Sequence, residues 1–522
     1  MSYGYSDMMT TCHGLVSSIS GVSIALYVVC IISLYQCTSE QPVSLFELLD
    51  SDHTHIDFIN EIVETDSFNM YEFMNIYTGG GVAIGDINND GLEDVFLSGN
   101  NVSSRLYLNM GDMSFEDITS SSGLTTDRWC GGVSMVDINQ DGWLDIYISV
   151  SGSGTSEKRR NLLYVNQRDN TFKESAESYN LDDDRQCMHA SFFDYDRDND
   201  LDLYVIVNPV DYTMSDVNNI KERSLNGEAA STDILYRNDG GRYVDVSSEA
   251  GILVEGYSLG LVTADINNDG WIDVYVSNDF LTNDIMYINN GDGTFTNRAK
   301  DYLDHTSFAG MGADISDMNN DGHVDIMVAD MLPEDNYRRK MIIPGTSYDR
   351  FQMTLDRGYE PQYTRNTLQL NNGDGSFSEI GQLAQVDQSD WSWSALFADW
   401  DADTDKDLLI TNGFLRDVGN LDYISYQRSD NSPFGDKKEQ YQKRLKDISA
   451  LGEVKIPNYI FENNGDLTFS KKMDEWGMGQ LSCSNGAAFG DLDLDGDLDI
   501  VINNVNDKAF VFQNRKQSGE AH

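Results

Sequence analysis

Short apolar runs alternate with polar, acidic stretches along most of this chain, and the alternation repeats in a fixed order. A run led by small residues, GGVAIGD, ends in the acidic loop DINNDGLED, which starts at Asp86. A β-branched and aromatic run follows (VFLSGN), then LYLN, then a turn, then FEDIT. The same order returns around DINQDGWLD from Asp137, DYDRDNDLD from Asp194, DINNDGWID from Asp265, DMNNDGHVD from Asp317, DWDADTDKD from Asp399 and DLDLDGDLD from Asp491. These seven starts are 51, 57, 71, 52, 82 and 92 residues apart, so the unit is about 51 residues and the longer spacings carry insertions. Turns such as NNGDGTF and NNGDGSF supply the Asn and Gly that tight hairpins require. Each unit therefore reads as four short antiparallel strands, A to D, with the acidic loop joining A to B.

Seven such units predict an all-β fold, a seven-bladed β-propeller of four-stranded antiparallel blades with insertions on one face. Innermost strands must approach a common axis, where small side chains fit. Five residues before the loops stand Gly81, Gly132, His189, Gly260, Gly312, Ser394 and Gly486, with His189 the exception. After AFVFQNRK the last unit lacks a fourth strand, and residues 55–62 (HIDFINEI) are expected to supply it. The expected organisation is a leader at 1–37, a linker at 38–54, a propeller at 55–515 and a tail at 516–522.

The loops carry the chemistry. Oxygen-bearing side chains fall at loop positions 1, 3, 5 and 9 in every copy. They are Asp86, Asn88, Asp90 and Asp94; Asp137, Asn139, Asp141 and Asp145; Asp194, Asp196, Asp198 and Asp202; and Asp265, Asn267, Asp269 and Asp273. The remaining three sets are Asp317, Asn319, Asp321 and Asp325; Asp399, Asp401, Asp403 and Asp407; and Asp491, Asp493, Asp495 and Asp499. Odd spacing through a tight loop aims these oxygens at one point, and Gly at position 6 permits the bend. All-oxygen cages of Asp and Asn suit a hard cation such as Ca²⁺. Three acids in each of four loops and four in each of the other three make 24 carboxylates at these positions. Two like charges 4 Å apart repel by roughly 4 kcal/mol at an effective dielectric of 20, and a divalent ion removes that repulsion. Up to seven structural Ca²⁺ ions are expected. In two loops Asn199 and Thr404 replace the Gly, and each gains an acid at position 7, Asp200 and Asp405. An EF-hand would need Glu at position 12, where the first loop has Leu97, so a structural ion is favoured over a calcium switch.

The bulk numbers agree. With 87 acids against 35 bases the net charge is −52, which argues against nucleic acid as a partner. Residues 15–37 hold no charged residue and read as an export signal, with an uncleaved anchor helix as the alternative. LYQC, ending at Cys37, is similar to a lipobox, so lipidation of Cys37 and a surface-lipoprotein location are expected, although Gln36 departs from the usual small residue. Beyond the leader, Cys130, Cys187 and Cys483 are too few and scattered for a disulfide framework.

These units resemble FG-GAP/VCBS repeats, the calcium-looped blades of integrin α-subunit-like propellers, and AFGDLDLDGDLD from Ala488 is the closest match. The resemblance implies a seven-bladed propeller, Ca²⁺ in the A–B loops, and adhesion or recognition outside the cell. The layout also resembles surface lipoproteins of Bacteroidetes-type bacteria, in which an ASPIC/UnbV domain often follows the propeller; none is present in this sequence.

The long insertions, at 151–160, 209–232, 331–365 and 413–457, all fall in B–C connections. Length variation gathered on one rim marks a recognition face on a rigid scaffold, expected to meet an extracellular glycan or protein ligand. Trp129, Tyr257 and Trp391 stand eight residues before their loops and are candidate ligand contacts, or else wedges between blades. Arg338 and Arg339 form a basic island that would suit an acidic ligand. GYSLG at 256–260 fits a nucleophile-elbow pattern, but it leads into strand A rather than a helix, so Ser258 is not read as catalytic. The expected function is non-enzymatic recognition; the alternative is a propeller-type polysaccharide lyase or hydrolase using His189.

Overall fold

The computed structural model describes residues 44–209, 220–342, 347–429 and 436–516. The expected leader with Cys37, parts of three insertions and the expected tail beyond residue 516 lie outside them. Seven four-stranded antiparallel sheets are arranged as a ring. Blade 1 comprises Val82–Gly85, Asp94–Leu97, Arg105–Asn109 and Phe115–Asp117. Blade 4 is Ser258–Ala264, Asp273–Asn278, Ile285–Asn289 and Phe295–Asn297, and the others follow the same order. Strand A of each blade touches strand A of the next, and that of blade 7 touches that of blade 1, so the ring is closed.

The A–B register at the loop end is the same in all seven blades. The last residue of strand A faces the first residue of strand B, as Gly85 faces Asp94 and Gly490 faces Asp499. Strand B is buried on both faces in all seven blades, which is why its sequences run apolar without alternation. The core is a set of seven apolar layers, each shared by two neighbouring blades. No blade has a core of its own, so the ring stands or falls as a unit.

Closure corrects the expectation from the sequence. The fourth strand of blade 7 is Phe46–Leu48, antiparallel to Phe510–Asn514, and not residues 55–62. The reason is aromatic packing. Strand D opens on an aromatic in every other blade (Phe115, Phe172, Tyr243, Phe295, Phe377, Phe469), and Phe46 takes that place. It is 1% exposed and meets Trp400 and Phe512 edge-on at 6.1 and 6.5 Å. Residues 55–62 run instead along the seam between blades 7 and 1, with Ile56 and Phe58 in that layer and the Ala509 N–H bonded to the Phe58 carbonyl. The propeller therefore begins within the expected 38–54 linker.

The described parts of the insertions do lie in B–C connections and carry helices, among them Asn336–Met341, Tyr348–Asp356, Leu421–Ser429 and Lys437–Ser449. A second departure concerns residues 62–78, which cross one mouth of the central channel and end in the 3₁₀ turn Met74–Tyr77. Asn485 Nδ2 donates to the carbonyls of Tyr77 and Thr78, and Glu64 pairs with Arg416 at 2.9 Å. Tyr441, in the blade 6 insertion, holds Asn69 and Glu72. This segment is a roof clamped by blade 6.

Candidate metal centres in the acidic loops

Each loop is built from its own carboxylates. Asp86 Oδ1 accepts the Asp90 N–H at 3.2 Å and Oδ2 the Gly91 N–H at 2.8 Å, while Asp90 Oδ1 accepts the Leu92 N–H at 2.9 Å. Position 6 is left-handed: φ is 90° at Gly91, and Asn199 and Thr404 keep that conformation at 71° and 84°. A non-Gly residue there costs about 1 kcal/mol, so those two loops are held by something besides their backbone.

Position 9 is the keystone. Asp94, Asp145, Asp202, Asp273, Asp325, Asp407 and Asp499 are at most 1% exposed. In each, Oδ2 accepts the N–H of loop position 2 at 2.9–3.3 Å. Oδ1 accepts the N–H of an Asn ending strand C at 2.7–2.9 Å. One carboxylate thus ties the loop to strands B and C. Burial, with the neighbouring acids adding to it, lifts these carboxyls to about 6 in Asp325, about 7 in Asp94 and about 8 in Asp407 and Asp499. A cation beside them would reverse that push and keep them ionised.

A divalent cation fits the residues present. In three loops, one oxygen each from positions 1, 3 and 9 lies within 4.8 Å of the others: Asp194, Asp196 and Asp202; Asp399, Asp401 and Asp407; Asp491, Asp493 and Asp499. Oxygens bonded to one Ca²⁺ at 2.3–2.6 Å fall within about that separation. Those same loops hold buried oxygens with no hydrogen-bond partner, Asp196 Oδ1, Asp200 Oδ1, Asp401 Oδ1 and Asp491 Oδ1. An unpartnered buried oxygen is expensive, and a bound cation would satisfy it. The other four loops have Asn at position 3, and there Asn88, Asn267 and Asn319 donate to the position-5 carboxylate at 2.9 Å.

Sequence reasoning passed over the Asn at the end of strand C. Its Nδ2 reaches the position-2 carbonyl of the preceding blade's loop in six of seven junctions: Asn109 to Leu492, Asn166 to Ile87, Asn289 to Tyr195, Asn371 to Ile266, Asn463 to Met318 and Asn514 to Trp400. Asn238 is the exception and bonds within its own blade. The signal was present, because LYLN, LYVN, ILYRN, IMYIN, LQLN, IFEN and VFQN all end in Asn.

The family model for FG-GAP-like repeats matches residues 86–148, 150–205, 265–328 and 358–410. The chain is an FG-GAP-repeat β-propeller. Cartilage acidic protein 1 of Xenopus tropicalis is 28% identical over 287 residues, covering 52% of this chain and 41% of that protein. The Homo sapiens protein of the same name is 27% identical over 205 residues, covering 38% of this chain and 28% of that protein. The match thus spans less than half the length of these relatives. No helix among the described residues of this FG-GAP propeller is long and apolar enough to cross a membrane.

The candidate ligand contacts on the opposite rim each touch other segments of this chain. Trp129 is 8% exposed, with Phe68 and Phe73 of the roof against it at 5.1 and 5.4 Å. Trp391 stacks on Phe414 at 3.8 Å, and Tyr257 meets Phe280 at 5.6 Å. Arg338 is paired with Asp390 and Asp417, and Arg339 with Gln388. These aromatics and Arg338 hold this chain's own segments, because burial of flat rings is worth more than leaving them wet. Cys130, Cys187 and Cys483 are buried free thiols.

Proposed function

We propose that this propeller is an exported, calcium-stabilised recognition module, non-enzymatic, that presents its B–C rim to a glycan or protein ligand. The observation that carries the reading is the convergence of carboxylate oxygens from positions 1, 3 and 9 in the three all-acid loops, together with the unpartnered buried oxygens that those loops hold. They ask for a hard cation on one rim, which leaves the insertions of the other rim free to vary. The name cartilage acidic protein 1, carried by relatives in frog and human, supports an extracellular setting. Attachment through Cys37 belongs to the same proposal.

The lyase alternative has less support. A lyase needs a base and a charge-neutralising group converging on substrate. Burial alone lowers the pKa of His189, to about 4, and no acid or arginine contributes. The test is a thermal melt with and without EDTA, followed by calcium titration, then a glycan array run beside an absorbance assay on uronate polymers. Restored melting with calcium and binding without turnover support the proposal. A melt indifferent to chelation would sink its calcium half, and turnover its non-enzymatic half.

A further inference from the structure

The central channel is a cavity of about 360 Å³ lined by strand A of all seven blades. The roof covers one mouth, where Thr78 and Gly79 lie at the end of the cavity and Asn485 is bonded up into the roof. What remains is a well whose other end faces the acidic loops, because strand A of every blade runs from the roof toward its loop. Its wall is mostly glycine and apolar side chains, including Met188, Leu259, Met311 and Trp393.

One lining group breaks the pattern. Three residues before each loop, six blades carry Ala83, Ser134, Ser191, Val262, Leu396 and Ala488, all uncharged, whereas blade 5 carries Asp314. Asp314 lines the well. Its Oδ1 accepts the Ile315 N–H at 2.9 Å and its Oδ2 the Phe397 N–H at 2.6 Å, which fixes the carboxylate in place. No basic side chain contributes to its environment. Burial lifts its pKa to about 6, so at pH 7 it is mostly ionised. A charge taken out of water without a counter-charge is costly and needs a partner. His189, the other ionisable group of the lining, is held neutral by its own burial and supplies none.

We propose that this well binds an aliphatic polyamine, one ammonium seated on Asp314 and the chain running out toward the acidic loops. The chemistry favours this class over a bare metal ion. A divalent ion wants six or more oxygens, whereas Asp314 offers one carboxylate already engaged by two N–H groups. The volume lies in the range of small-molecule pockets. The apolar wall matches methylene segments, Trp393 offers a ring near a cation, and the loop rim carries excess negative charge even with every cage filled.

The experiment is calorimetric titration of the calcium-saturated full chain with spermidine at physiological ionic strength. Wild type is expected to bind one equivalent saturably. D314N removes the charge but leaves an oxygen acceptor for only one of the two N–H groups, so it is expected to weaken binding tenfold or more and to lower the melting temperature modestly. L396W narrows the well without touching a charge and is expected to weaken binding as well. If D314N proves unfolded, L396W carries the test. Equal affinity in wild type and the folded variant, or only weak multivalent heat that salt abolishes in both, would overturn the proposal by placing spermidine on the rim. Calcium is present throughout, so failure of the chelation melt would leave this result standing.

Discussion

Loops 1, 2, 4 and 5 share one backbone with loops 3, 6 and 7, but they are stabilised differently. In the first group Gly holds position 6, and in loops 1, 4 and 5 an Asn side chain donates to the position-5 carboxylate. In the second group that donor is gone, an acid stands at position 7 (Asp200, Asp405, Asp497), and two loops force Asn199 or Thr404 into the left-handed region. The second group leaves four buried carboxylate oxygens of its loops unpartnered among the described residues, against one, Glu93 Oε2 of loop 1, in the first group. The lesson is that one fold of the chain serves both a loop that is partly self-sufficient and a loop that depends on its ion. Blades 6 and 7, where the all-acid loops stand together, are also where the ring is closed by Phe46–Leu48.

Chelation should separate the two kinds most sharply. A site filled at 100 to 1,000 times its Kd adds about 3–4 kcal/mol, so stripping several should lower the melting temperature by roughly 10 °C or more. Hydrogen exchange followed by mass spectrometry should show residues 194–202, 399–407 and 491–499 losing protection before the four Asn-containing loops. Uniform loss around the ring would erase the distinction.

The Asn that crosses to the neighbouring blade is expected to matter next. Asn289→Ala removes a buried amide and its bond to the Tyr195 carbonyl, at a cost of about 1–3 kcal/mol. Asn238→Ala, in the blade whose Asn does not cross, should cost about half as much. Equal losses in urea unfolding would mean that the inter-blade bond adds nothing.

A reciprocal exchange tests the loops themselves. D401N gives loop 6 the donor of the other group, so it should destabilise by about 1 kcal/mol in calcium and stabilise by about as much in EDTA. N88D should do the reverse in loop 1. Paired melts in the two buffers read the crossing, and shifts of the same sign in both would show that charge is not what distinguishes the loops.

How much of this was legible in the sequence follows from where the determinants lie. The blades and loops were, because strand pairing and loop bends are local and repeat at a readable spacing. The odd positions 1, 3, 5 and 9 converge because residues 85 and 94 face one another across a hairpin, which spacing alone implies. The closing strand is harder to read, because residues 55–62 alternate as a strand does, whereas Phe46–Leu48 offers only a three-residue Phe-Glu-Leu that matches FED, FKE and FSE at the head of strand D. The roof was illegible for a different reason. Trp129 meets Phe68 and Phe73 from 56 or more residues away, and Glu64 meets Arg416 from 352 away, so no local pattern announces either contact.

The smallest expected effect comes from the same exchange made at the other end of a blade, far from any cage. Asp284 precedes strand C of blade 4, is fully buried, and accepts the Asn278 N–H at 2.9 Å and the Tyr275 hydroxyl at 2.8 Å. Blade 2 solves the same problem with Asn161, which accepts the Val150 N–H and donates to the Tyr147 hydroxyl oxygen. Burial, with Asp330 adding and Arg223 opposing, raises the Asp284 carboxyl to about 7. An acid raised above its unfolded value near 4 holds its proton in the fold, so its contribution is complete below about pH 4 and is lost as pH rises through 7. D284N stays neutral at every pH and copies blade 2. Its effect on stability should be more favourable at pH 8 than at pH 5. Because no ion is involved, the gain should be the same in calcium and in EDTA, in contrast to D401N. A gain at pH 8 that vanished on adding calcium would place an unforeseen ion on the insertion rim and remove the contrast between the two ends of the blade.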